Sequence, residues 1–222
     1  MIQVILCDDH ALIRRGIRDT LADAPDIKVV GEAGDYGELR ALMRTLGDKG
    51  RDEGRTAPCD VLVLDINLPG RSGLDALHAL KEEGSPVKVL VVSMYPEDQY
   101  AIRALRAGAF GYVNKGGDPQ LIVQAVRTVS QGRKYVTPEI AQMLVESLTT
   151  PSVENAHDKL SDREMQTLVM IASGKRLSDI AEELMLSPKT VSVYRARVLE
   201  KLGLANNSEM TVYAIRQGLV GN

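Results

Sequence analysis

Apolar and polar positions in the first half of the chain switch repeatedly between two periods. Ile2–Cys7, Ile27–Ala33, Val61–Asp65, Lys88–Ser93 and Gly111–Val113 are short apolar runs of strand length. Between and after them, Ala11–Ala22, Tyr36–Leu46, Gly73–Glu83, Pro96–Ala107 and Pro119–Gln131 place apolar residues three and four apart, as a helix with one buried face requires. Five repeats of strand then helix predict an α/β unit: a doubly wound, five-stranded parallel sheet with helices on both faces. The runs ending at Asp65 and Ser93 are apolar at nearly every position, which marks strands buried on both sides.

The second half has no strand pattern. Pro138–Leu148 reads as an isolated amphipathic helix, and the polar stretch 149–157 as a linker. Four helical segments follow: Asp162–Ser173, Leu177–Met185, Pro188–Leu202 and Ser208–Gln217. Ser161 with Glu164 forms a capping box, Ser187 caps a helix opening on Pro188, and Asn207 or Ser208 can cap the last helix. Gly174, Gly203 and Gly218 stand where left-handed C-terminal caps belong. The expected organisation is therefore 1–128 as the α/β unit, 129–157 as a linker containing a helix, and 158–222 as a small all-α four-helix unit. The glycine- and charge-rich stretch 47–57 reads as an exposed insertion.

Composition narrows the class. With 44% hydrophobic and 26% charged residues the chain is globular rather than disordered. Its apolar runs are strand-sized and no signal segment opens it, so no membrane association and a cytoplasmic location are expected. Cys7 and Cys59 fall at opposite ends of their strands. In neighbouring parallel strands they would lie about 15–20 Å apart, beyond disulfide reach. Charge is uneven: 158–222 holds nine Lys/Arg against eight Asp/Glu, while 1–157 carries a net −4. Within 187–202, Lys189, Arg195, Arg197 and Lys201 oppose Glu200 alone. An ion-binding front and a basic stripe near the end follow.

Ligands of parallel α/β sheets gather at the carboxyl ends of the strands. Asp8 and Asp9 end the first strand, Asp65 the third and Ser93 the fourth, and Lys115 follows the fifth. Carboxylates crowded at one rim repel unless a cation joins them, and hard oxygen donors suit Mg²⁺. Beside such an ion a carboxylate can attack a phosphoryl donor, with a lysine and a hydroxyl holding the transferred oxygens.

The segments Cys-Asp8-Asp9-His, Val-Leu-Val-Leu-Asp65-Ile-Asn67-Leu-Pro-Gly-Arg-Ser-Gly73, Val-Val-Ser93-Met and Gly-Tyr112-Val-Asn-Lys115 resemble the receiver domain of two-component response regulators, over residues 1 to about 128. The resemblance implies a flavodoxin-like fold with Asp65 as phosphoryl acceptor. Asp8, Asp9, Asp65 and the backbone carbonyl of Asn67 would hold Mg²⁺. Ser93 and Lys115 would contact the phosphoryl oxygens, and Tyr112 would swing inward as Ser93 moves. For Tyr112, half-buried packing on an edge strand competes with the switch role. Ser93 stands where many receivers carry threonine, which preserves the hydroxyl. His10 reads as a helix-start residue rather than a ligand, and His78 and His157 receive no role.

In the second unit, Lys159-Leu-Ser-Asp-Arg-Glu164 through Ser187-Pro-Lys-Thr190-Val191 to Glu200-Lys-Leu202-Gly203 resembles the LuxR-type helix-turn-helix of the NarL/FixJ subfamily. Val191, Val198 and Leu202 form an inward stripe on the third helix of this unit. Lys189, Thr190, Ser192, Val193, Arg195 and Arg197 are the candidate DNA contacts, with Lys and Arg drawing phosphates and Lys189, Ser192 and Val193 placed for base edges. Met210, Val212, Tyr213 and Ile215 read as either dimer contacts or core, with core favoured for most. The expected function is that of a response regulator and not an enzyme. Its partners would be a cognate sensor histidine kinase and double-stranded promoter DNA, and the phosphorylated chain would form a homodimer. Two alternatives are an aspartate-nucleophile phosphatase and a protein-binding adaptor. Asn67 stands where such phosphatases commonly place a second acid, and no substrate cap is evident.

Overall fold

The computed structural model describes residues 1–52, 54, 56–95, 97–149 and 156–220. These divide into two compact units, Met1–Glu146 and Ser147–Asn222. The first alternates β1 (Ile2–Cys7), α1 (Ala11–Ala22), β2 (Ile27–Ala33), α2 (Tyr36–Asp52), β3 (Val61–Asp65), α3 (Gly73–Glu82), β4 (Lys88–Ser93), α4 (Glu97–Ala107), β5 (Gly111–Asn114) and α5 (Gln120–Ser130), followed by α6 (Pro138–Thr149). All five strands are parallel in the order β2-β1-β3-β4-β5. That is the doubly wound, flavodoxin-like arrangement expected from the alternation. The strand order reverses at β1 and β3, the place where such sheets bind ligands.

The alternation of side chains along each strand explains the layers. Val4, Leu6, Val61, Val63, Leu90, Val92 and Val113 pack with Ile17 and Leu21 of α1 and Val123 and Val126 of α5. Ile5, Leu62, Leu64, Val91 and Tyr112 lie between them in sequence, are equally buried and point to the opposite face. Cys7 and Cys59 are buried free thiols.

Two features differ from the sequence pattern. Residues 47–52, expected in an exposed insertion, continue α2. Gly47 costs that helix only about 1 kcal/mol, and its charged neighbours are compatible with helix, so nothing stops it there. The expected start of α4 at Pro96 lies outside the described residues. After α5 the chain returns beside β5: Tyr135 bridges Gly111 in parallel fashion, its N–H donating to Phe110 O at 2.8 Å. A β-carbon on Gly111 would meet Tyr135 O at 2.8 Å, so only glycine admits this docking. Most of the linker expected at 149–157 also lies outside the described residues.

The second unit opens with a 3-10 turn at Ala156–Lys159 and contains α7 (Asp162–Ala172), α8 (Leu177–Glu183), α9 (Pro188–Leu202) and α10 (Asn207–Arg216). The capping box is present: Ser161 N–H donates to Glu164 Oε2 at 2.7 Å, and Ser161 accepts from the Glu164 N–H. Gly174, Gly203 and Gly218 all have positive φ. α7 packs on α9 and α10 through Leu168, Val191, Val198, Met210 and Ala214, all fully buried. The core reading fails for Val212 and Ile215, which are 48% and 40% exposed. The cap of α10 is Asn206, not Asn207 or Ser208. His157 is buried, with Nδ1 2.9 Å from the Tyr213 hydroxyl, tying the 3-10 turn to α10. Among the described residues no helix is long and apolar enough to cross a membrane.

Candidate functional site

Strand register assembles the first site. Cys7 lies opposite Leu64, so the residues that follow, Asp8 and Asp65, emerge side by side at the carboxyl edge. Asp65 faces Val92 on β4, and Ser93 faces Asn114 on β5, which brings Ser93 and Lys115 to the same rim. Lys115 is then held there by its backbone N–H, which donates to Ser93 O at 2.8 Å.

Three charges are buried together. Lys115 Nζ lies 2.7 Å from Asp8 Oδ2 and 2.8 Å from Asp65 Oδ2, and all three side chains are at most 3% exposed. The crowding foreseen among the acids is thus offset within the fold by this ammonium, two carboxylates to one lysine. Asp65 stands at about pKa 6, above the ordinary carboxylate value: burial raises it most, Lys115 lowers it, Asp8 raises it, and the Asn67 N–H lowers it. Burial likewise pushes the Cys7 thiol far up, with the Asp65 and Asp8 charges adding to the effect. That thiol is no nucleophile.

The rim fits a divalent metal by its donors. Ligand atoms of Asp8, Asp9, His10 and Asp65 all lie within 4.8 Å of one another, and three of the four are hard carboxylate oxygens. Asp8 Oδ2, though close to Lys115 Nζ, accepts no aligned hydrogen bond and retains an unused lone pair. His10 is the N-cap residue of α1, as the helix-start reading has it, but makes no capping bond. Its ring turns back instead, Nδ1 2.6 Å from Asp9 Oδ1.

The remaining candidates meet at one loop. Ser93 is fully buried, and its Oγ accepts the Tyr95 N–H at 3.1 Å. Tyr112 is already turned inward and fully buried, neither half-buried nor placed to swing in, and its hydroxyl donates to Tyr95 O at 2.7 Å. Asn114 Nδ2 donates to the same oxygen at 3.1 Å. Tyr95 itself stacks on Tyr100 with centroids 4.5 Å apart. Sequence reasoning overlooked Tyr95 because its backbone, not its side chain, makes these links. It also overlooked Arg14, whose guanidinium reaches the Asp8 carbonyl and Glu32. Helical spacing from His10 puts Arg14 one turn along, on the side facing the end of β1.

On the second unit, α9 exposes Lys189, Ser192, Val193, Ala196 and Arg197, while Arg195 is half-buried. The Thr190 hydroxyl pairs with Ser187 Oγ at 2.8 Å, at the helix start. Lys201 departs from the basic stripe: its Nζ lies 2.6 Å from the buried Glu164 carboxylate and also reaches Lys159 O. Burial pushes Glu164 up, but hydrogen bonds from Lys201 and the Ser161 N–H outweigh it and hold the carboxyl below its ordinary value. Lys201→Ala should therefore lower the stability of the full chain by about 1–2 kcal/mol, the range for losing a charged hydrogen bond whose lysine end is partly in water. The depressed Glu164 pKa makes this contribution present above its unfolded pKa and lost as pH falls through the folded value. Urea melts at pH 7 and at successively lower pH check it; a loss that does not shrink as pH falls would refute the assignment.

A rim of buried acids and a lysine on one unit, and an exposed basic recognition helix on the other, are the two halves of a signal-dependent DNA-binding regulator. Known families agree. Residues 4–127 match the response regulator receiver domain, and residues 158–214 match bacterial regulatory proteins of the luxR family. The chain is 39% identical over 220 residues to the response regulator UvrY of Escherichia coli (strain K12), covering 99% of this chain and 96% of that protein. It is also 39% identical over 220 residues to the response regulator GacA of Pseudomonas protegens, covering 99% and 98% of the two chains. A similar solved structure is RcsB from Salmonella enterica serovar Typhimurium bound to promoter rprA in the presence of the phosphomimetic BeF3⁻, at 25% identity and TM-score 0.59, covering 96% of this chain and 97% of that one. The chain belongs to the two-component response regulators with a LuxR-type helix-turn-helix, the NarL/FixJ family. It is a DNA-binding transcription regulator and not a phosphatase.

Proposed function

We propose that a sensor histidine kinase phosphorylates Asp65 and that this modification controls dimerisation and promoter binding. The observation that carries the reading is the buried Asp8–Lys115–Asp65 cluster at the topological switch point. A carboxylate oxygen of Asp65 attacks the phosphorus of phosphohistidine; the P–N bond breaks and its electron pair stays on the imidazole. Asp8, Asp9, Asp65 and the Asn67 carbonyl would hold Mg²⁺, which supplies charge compensation for the transferred oxygens. Lys115 and the Ser93 hydroxyl then hold two of those oxygens, each leaving its present partner to do so.

That exchange is the switch. When Ser93 turns toward the phosphoryl group it releases the Tyr95 N–H, while the Tyr95 carbonyl remains the acceptor for Tyr112. The β4–α4 loop and the α4–β5–α5 face re-pack together, shifting a two-state equilibrium toward the homodimer. Two copies of α9 then enter major grooves of a two-fold operator, with Lys189, Ser192 and Val193 at base edges. Arg195, Arg197 and the N-terminal turn at Thr190 meet phosphates.

Footprinting of the full chain on genomic DNA, with and without acetyl phosphate and Mg²⁺, tests this. Tenfold or greater gain in occupancy at paired half-sites is expected, from the roughly 1.4 kcal/mol that a modest population shift supplies. Identical footprints before and after confirmed labelling would overturn the control mechanism.

A further inference from the structure

α9 does not carry Arg195 on its most exposed edge, where Ser192, Val193 and Ala196 stand; Arg195 sits on the flank that meets the start of α10. There its Nε donates to Asn207 Oδ1 at 2.5 Å. Asn207 is the first residue of α10 and does no capping. Asn206 accepts the Glu209 N–H at 3.0 Å, and the Glu209 carboxylate accepts the Ala205 N–H at 2.8 Å, so the helix start is complete without Asn207. Its amide is committed to the arginine instead.

The chemistry left over is specific. A guanidinium has five N–H donors in a rigid plane, and Asn207 uses the one on Nε. The four on the two terminal nitrogens remain, and among the described residues no carboxylate is paired with them. Lys201, on the same helix, is by contrast neutralised by Glu164. A flank residue of a groove-binding helix faces the sugar–phosphate wall rather than the base edges, and a two-nitrogen fork matches two oxygens of one phosphate.

We propose that Asn207 is a positioning residue for DNA binding, holding the Arg195 fork at the α9–α10 junction to clamp one backbone phosphate beside the major groove. The inference rests on the reading of α9 as the DNA-entering helix. An arginine already held loses less freedom on binding than a free one, so the amide strengthens DNA binding without touching DNA.

Fluorescence anisotropy of the full chain, with BeF3⁻ and Mg²⁺, on its footprinted operator and on a scrambled duplex at several salt concentrations provides the test. Arg195→Ala should weaken both duplexes about equally and reduce the salt slope by about one, the signature of one lost phosphate contact. Asn207→Ala should weaken binding about three- to tenfold with the slope unchanged, the range for freeing one long side chain. In the Arg195→Ala background, Asn207→Ala should have no further effect. Equal Asn207→Ala losses in both backgrounds, or a loss that follows a lowered melting temperature, would overturn the clamp. If the wild-type chain shows no salt-dependent binding to either duplex, the reading of α9 fails; if it binds and Asn207→Ala is silent, only the clamp fails.

Discussion

Asp65→Asn is expected to take no phosphoryl group from acetyl phosphate and, without Mg²⁺, to lose most of the pH dependence of stability between pH 4 and 7. The first effect is all-or-none, because the amide offers no anionic oxygen for attack. The second follows from burial. In the folded protein Asp65 titrates near pH 6, above the ordinary carboxylate value of 3.8. The folded state thus binds the Asp65 proton more tightly than the unfolded chain does. Protonation stabilises the fold below the unfolded pKa, and this stabilisation is lost as pH rises through about 6. The span of about two units corresponds to about 3 kcal/mol. Asparagine keeps an acceptor for the Asn67 N–H and leaves Asp8 and Lys115 as a balanced pair. Above pH 6 the variant should therefore match or exceed the metal-free wild type. Mg²⁺ should stabilise the wild type at pH 7.5 but not at pH 5, where the proton competes for the same oxygen, and should have little effect on the variant. Paired urea titrations from pH 4 to 8, with and without Mg²⁺, decide the matter. Parallel pH profiles for the two proteins would show that Asp65 does not bear the burial cost.

Gly73→Ala should be the most damaging small substitution in the first unit, costing about 3–5 kcal/mol or preventing accumulation of folded protein. A β-carbon at this position would stand 1.9 Å from the carbonyl oxygen of Asp65, 2.8 Å from its carbonyl carbon and 2.9 Å from Ile66 Cα. All three are backbone atoms of the segment that carries Asp65 and cannot turn aside as a side chain would. Gly73 N–H also donates to Ile66 O at 2.8 Å, and Ser72 caps the same helix by accepting the Asp75 N–H. The start of α3 is therefore pinned against the end of β3, and an added methyl displaces one or the other. Gly47→Ala is the contrasting control, since a methyl added there would meet nothing within 4 Å and the position sits inside α2. That change should be neutral or stabilise by up to about 1 kcal/mol. If both variants melt within a degree of the wild type, the close approach at Gly73 is not structurally required.

The parts of the molecule open to sequence reading are those governed by local rules. Short apolar runs and period-3.6 patterns marked the strands and helices of the first unit, and the capping box at Ser161 and the glycines at 174, 203 and 218 behaved as their chemistry dictates. The rule that parallel sheets bind at their carboxyl edge was enough to place Asp8, Asp65, Ser93 and Lys115 at one rim. Errors arose where two local rules competed. The charged, glycine-containing stretch after Leu46 satisfies both loop and helix chemistry, and helix continued to Asp52. Three polar residues in a row, Asn206, Asn207 and Ser208, can each cap a helix, and geometry selected Asn206.

Pattern along the chain was therefore sufficient for two units, for the order of their elements and for the residues gathered at the carboxyl edge of the sheet, because alternation, caps and strand ends depend on near neighbours. It took the folded arrangement to establish that Lys115 bridges Asp8 and Asp65, that Tyr112 and Ser93 meet through the backbone of Tyr95, that Lys201 serves Glu164, and that Asn207 holds Arg195. Each of these joins residues on different elements or at a loop. Their distances are set by strand register and helix packing, which no local pattern of apolar and polar residues encodes.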